Sequence, residues 1–61
     1  MRLIIQWQDF KYREHEHVVE CPVFIPSLKD IVTTPDGHCG TVEYRHYNMQ
    51  KDTLVVRVLR G

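Results

Sequence analysis

The 61 residues predict an all-β chain, either a small five-stranded barrel or a strongly curved antiparallel sheet, and three observations carry that expectation. Several segments alternate apolar and polar side chains with a period of two, the spacing of a strand that buries one face. Pro22, Pro26 and Pro35 interrupt the middle of the chain, and no window sustains the 3.6-residue apolar period of a helix. Residues that favour turns separate the alternating segments. Strands are expected over residues 2–8, 15–21, 30–34, 41–47 and 53–59.

The first strand sets Leu3, Ile5 and Trp7 on one face against Ile4, Gln6 and Gln8. Trp7 is the single Trp and the largest apolar group the core can recruit. Residues 9–14 then form a turn or long strand ends. The second strand alternates His15, His17, Val19 and Cys21 with Glu16, Val18 and Glu20. Ser27-Leu28-Lys29-Asp30 has room for a single 3₁₀ turn before the third strand. That strand enters a turn in which Pro35 takes the second position, Asp36 follows and Gly37 can adopt positive φ.

Gly40, just inside the fourth strand, signals a bulge or a close approach of backbone. Simple alternation there places Val42, Tyr44 and His46 on one face, and Thr41, Glu43, Arg45 and Tyr47 on the other. The fifth strand is rich in β-branched residues, with Leu54, Val56 and Val58 opposed to Val55, Arg57 and Leu59. Asn48-Met49-Gln50-Lys51-Asp52 is a polar connection that makes these two strands a hairpin.

Asp30-Ile31-Val32, Gly37, Gly40-Thr41-Val42, Asp52-Thr53-Leu54-Val55-Val56 and Val58 together resemble the core of SH3-like barrels. KOW-type modules share this succession of strand, Gly-containing turn, Gly-x-Val and strand. The likeness implies a five-stranded SH3-like barrel over residues 1–61. Its functional implication is binding to RNA or to protein, and fold alone does not choose between them.

A chain of this length holds one domain and hides only about 60% of its unfolded surface. An enclosed substrate pocket of roughly 300 Å³ or more would compete with that thin core. A binding surface is easier to build, and a non-enzymatic role without cofactor is expected. The longest apolar stretches, such as Leu3-Ile4-Ile5, are far too short to span a bilayer, and the first residues lack the apolar region of a secretory signal. No membrane role is expected, and the location is read as cytoplasmic, in a bacterial or phage protein.

Net charge is zero, but its distribution is uneven. Residues 9–43 hold three basic side chains against seven acidic ones, whereas residues 44–61 hold Arg45, Lys51, Arg57 and Arg60 against Asp52 alone. Non-specific nucleic-acid binding runs on an excess of Lys and Arg. The whole molecule lacks that excess, which leaves a basic strip on the last hairpin.

Four His and two Cys raise a metal site as the first sharp hypothesis. His15 and His17 share a strand face with Cys21 beyond them, and His-x-His on a strand can supply two zinc ligands. The usual Cys-x₂₋₄-Cys and His-x₃₋₅-His spacings are missing, so the reading adopted is a solvated face interleaved with Glu14 and Glu16, and no metal. His38 and Cys39 are sequence neighbours, and on a strand they point to opposite faces, which does not make a nucleophile and its base. Cys21 and Cys39 are expected as free thiols, one or both buried as small apolar residues, in a reducing compartment.

The remaining candidate is a recognition surface on the C-terminal hairpin: Tyr44, Arg45, Tyr47, Lys51 and Arg57, with His46 near them. Tyr and Arg concentrate at interface hot spots because they bury large area and keep a polar handle. They also stack bases on a sheet. The plainer alternative is that Tyr44 is core and the others an ordinary exposed face. Zero net charge favours a protein partner or a second copy of the chain, with nucleic acid as the runner-up.

Overall fold

Period-two patterning is realised as five strands in a computed structural model that describes residues 1–60: β1 (Arg2–Gln8), β2 (Glu14–Glu20), β3 (Ile31–Thr33), β4 (Cys39–Asn48) and β5 (Thr53–Arg60). They make one sheet in the order β2-β1-β5-β4-β3, curled into a half-barrel, with no helix among the described residues. The expected antiparallel sheet is in fact mixed. β1 runs antiparallel to β2 but parallel to β5, with Leu3 opposite Leu54 and Trp7 opposite Val58. Parallel neighbours are favoured where both strands are central and apolar on both faces. β1 and β5 meet that condition through Ile4 and Val55, which oppose each other on the outer face.

The inner face carries the core. Leu3, Trp7, Val42, Leu54, Val56 and Val58 are buried, and Ile5, Val19 and Val32 pack against them. Val42 and Val56 are the largest fully enclosed side chains among the described residues. Each buried aliphatic side chain contributes roughly 1.5–3 kcal/mol, so five of them with Trp7 make a thin core for this length.

Turn chemistry decides where the strands stop. Asp9 organises the β1–β2 turn: its Oδ1 accepts from the backbone N–H groups of Lys11 and Arg13, at 2.8 and 3.0 Å. This lets Tyr12 adopt φ of +62°. β2 ends one residue earlier than expected because Cys21 turns to φ of +50° and its N–H binds the Met1 carbonyl. The segment from Cys21 to Asp30 then crosses from β2 at one edge of the sheet to β3 at the other. At its end Asp30 N–H donates to the Ser27 carbonyl and Ser27 N–H to the Asp30 carboxylate. Lys29 at φ of +73° makes this a tight turn and not the 3₁₀ turn expected.

The β3–β4 turn follows its predicted chemistry. Gly37 N–H donates to the Thr34 carbonyl, Pro35 holds the second position, and Gly37 has φ of +91°. Gly40 is a site of close backbone approach. A Cβ there would lie 2.8 Å from the Leu59 carbonyl oxygen, and closer still to a Val58 methyl. The irregularity that Gly40 suggested lies further along, between Val42 and Tyr44, where β4 slips register against β5.

Candidate functional site

That register slip rearranges the predicted recognition surface. Before it, Val42 opposes Val58 on the inner face; after it, Tyr44 opposes Arg57 and His46 opposes Val55 on the outer face. A bulge adds one residue to one strand, so every later side chain changes face. Tyr44 and His46 therefore leave the face of Val42. Arg45 and Tyr47 join the inner-face rows of Val56 and Leu54 instead.

The five candidates consequently do not form one patch. Tyr44 and Arg57 share the outer face, Arg45 and Tyr47 the inner side at the open end of β4, and Lys51 lies in the β4–β5 loop. Tyr44 is exposed and not core, with its ring 6.5 Å from that of His46 in a stacked pair. Arg57 is already engaged: its guanidinium donates to Glu14 at 2.7 Å. That contact holds the Glu14 carboxyl below its ordinary range. Tyr47 donates its hydroxyl to Asp52 at 2.5 Å, which lowers the Asp52 carboxyl and raises the Tyr47 phenol. The N-terminal ammonium, 3.2 Å from Asp52, adds to the first of these shifts.

The histidines of β2 part company. His15 stacks on Trp7, with ring centroids 5.4 Å apart, and meets Asp9 through Nε2 at 2.8 Å. His17 is exposed opposite Ile5. Asp9 is buried and takes four hydrogen bonds, from two backbone N–H groups, the Arg13 Nε and His15. A carboxylate has about four acceptor sites, so this one is saturated as the organiser of its turn. Its pKa is held far below the usual range, first by His15 and next by the Arg13 backbone N–H. No group of three or more His, Cys, Asp or Glu among the described residues is arranged to hold a metal ion.

Trp7 reaches across the core to the β3–β4 turn, its indole N–H donating to Asp36 at 3.1 Å. Thr34 also donates to Asp36, and the two bonds, the hydroxyl's first, pull that carboxyl below its ordinary range. Cys21 and Cys39 are free, and both are exposed where burial of at least one was expected. Cys21 leaves β2 in a left-handed turn, and Cys39 pairs with Thr33 at the short β3 edge.

The surface that sequence reasoning passed over is the β2–β3 connection. Val23 is fully exposed and Phe24 66% exposed, with Ile25 and Leu28 also exposed in the same loop. Ile31, at the start of β3, is 78% exposed. Val23, Phe24 and Ile31 border an open apolar groove of about 300 Å³. Leu3, Ile5, Val19 and Val32 line it from the sheet, and Pro22, Val23, Phe24 and Pro26 from the loop. Pro26 is buried and anchors the loop against the sheet. The available signal was Val23-Phe24-Ile25, an apolar run bracketed by prolines and outside any alternating segment.

Comparison with protein-family models, with curated proteins and with solved structures yields no match. No helix among the described residues is long and apolar enough to cross a membrane.

Proposed function

We propose that this chain is a small non-enzymatic interaction module that docks a protein through the apolar face made by the β2–β3 connection. One observation carries the reading: Val23, Phe24 and Ile31 stand in solvent around an apolar groove, while the core among the described residues numbers six side chains. Exposed large apolar residues scattered singly need no explanation, whereas a contiguous patch marks an interaction site. Pro22 and Pro26 restrict the backbone on either side of Val23-Phe24-Ile25, so little ordering free energy is lost when this surface is covered.

The arrangement of the basic residues supports protein over nucleic acid. Arg57 is occupied by Glu14, and Arg45, Lys51 and Arg57 are spread over two faces and a loop. A phosphate backbone is tracked by a continuous basic groove.

Site-directed photo-crosslinking in the host cell tests the proposal. A photoreactive amino acid at Val23 is expected to capture one discrete protein species, and the same probe at Lys11, in the β1–β2 turn, none. Equal labelling from both positions, or no product from Val23, would remove the loop face as the docking surface.

A further inference from the structure

We infer that the occupant of the β2–β3 loop face is a second copy of this chain, packed about a two-fold axis. This rests on the reading of that face as the docking surface and adds the identity of the partner.

Shape is the first argument. The face contains both a projection and a recess of the same chemistry. Val23 and Phe24 rise at the rim, and Leu3, Ile5, Val19 and Val32 line the groove beside them. A two-fold interface uses one patch on both subunits, so the projection of each copy must meet the recess of the other. A patch that carries both halves of the contact meets that requirement by itself.

Area is the second. At roughly 150–200 Å² for each fully exposed large apolar side chain, the groove-lining Val23, Phe24 and Ile31 present on the order of 400 Å². Interfaces are roughly 60% apolar, so such a patch belongs to an interface of on the order of 700 Å² per copy and 1,300 Å² in total, the lower end of what specific, stable interfaces use. For a single-chain protein the same patch falls in the range of the largest exposed one, which is often functional.

The third argument is stability. A domain near 60 residues is marginal on its own, and oligomerisation is one of the few ways to enlarge so small a core. The chain carries no net charge to oppose self-association, and both charged residues of the loop are already engaged: Lys29 donates to Glu43 at 2.6 Å, and the Asp30 carboxylate accepts from the Ser27 N–H at 2.8 Å. Two copies can therefore approach without bringing unpaired like charges together at the loop.

Sedimentation velocity and light scattering on the purified chain decide the matter, from low-micromolar to near-millimolar concentration. The expected result is twice the chain mass, with dissociation on dilution. Val23→Asp combined with Phe24→Asp should give the single-chain mass throughout while its far-UV circular dichroism stays that of a β-sheet, since neither position is buried. Val18→Asp, on the outer face, should leave the dimer intact. If the double variant fails to fold, Ile31→Lys provides the same test at another exposed position. A single-chain mass for the unmodified protein at every concentration overturns the inference, as does a dimer that survives a folded loop variant. The crosslinking experiment separates this from the broader reading. A monomer whose Val23 probe captures a different protein keeps the docking face and loses the two-fold partner. A monomer with no capture loses both.

Discussion

Gly40→Ala tests the packing of the β4–β5 ladder, because two effects of opposite sign meet at this position. Gly40 has no positive φ, so alanine adopts its backbone conformation without strain. Replacing a glycine in that situation stabilises by about 0.4–1 kcal/mol, through the lost freedom of the unfolded chain. Against this, the new methyl would lie 2.8 Å from the Leu59 carbonyl oxygen and closer to the Val58 methyl. Val58 is buried and Leu59 is paired with Thr41 in the ladder, so neither can retreat freely. Overpacking of this kind costs about 1–3 kcal/mol. The packing cost wins, and a net loss of about 0.5–2 kcal/mol is expected.

Trp7 supplies the assay, since it is buried, stacked on His15 and the single Trp of the chain. Urea unfolding followed by its fluorescence should show a lower midpoint at unchanged slope. A melting temperature lower by several degrees accompanies a loss of about 1 kcal/mol in a domain of this size. Gly37→Ala provides the contrast: nothing lies within 4 Å of its Cβ position, but φ of +91° strains any β-carbon. That variant should lose about 1 kcal/mol, and Gly37→Asn should recover part of it, because Asn tolerates left-handed backbone. An equal or higher urea midpoint for Gly40→Ala would refute the packing argument.

Three further expectations follow from the electrostatics. Asp9, Glu14, Asp36 and Asp52 all have folded-state pKa values below their ordinary ones, so the unfolded chain binds protons more readily. Their stabilisation is complete above the ordinary carboxylate range near pH 4 and is lost as pH falls through the folded values. Urea midpoints measured from neutral pH downward should decline there, less steeply in Asp9→Asn; an identical acid limb would count against Asp9 as the organiser of its turn. Tyr47 titrates in the other direction: Asp52 raises its pKa, so its contribution is complete below about pH 10 and disappears as pH rises through the folded value. Asp52→Asn should move the Tyr47 titration, read as tyrosinate absorbance, to lower pH. Finally, gel-shift titration on random single- and double-stranded oligonucleotides should show no binding tighter than about 10 μM at physiological salt. Salt-sensitive submicromolar binding abolished by Arg45→Ala with Arg57→Ala would reverse the order of the two functional readings.

What the sequence determined by itself was local. Alternation in residues 2–8 and 53–59 is a property of each strand alone, and it identified Leu3, Trp7, Leu54, Val56 and Val58 as the inner face. The Thr34–Gly37 turn was equally legible, because Pro35 and Gly37 carry their backbone preferences with them. The tertiary structure decided whatever depends on a partner distant in the chain. Parallel pairing of β1 with β5 joins residues about fifty apart in sequence, and no local pattern encodes the direction of a neighbour. Gly40 signalled an irregularity in β4 but not its place after Val42, since a bulge is fixed by how two strands must match across the core and not by an unusual side chain. Alternation had already set Tyr44 against Arg45 and Tyr47; the extra residue exchanged their faces, bringing Tyr44 beside Arg57 and turning Arg45 and Tyr47 to the inner rows, which alternation alone could not foresee. The apolar face at Val23 and Phe24 has the same origin. Whether an apolar run is core or surface depends on what else covers it, and here the six-residue core is complete without those two side chains.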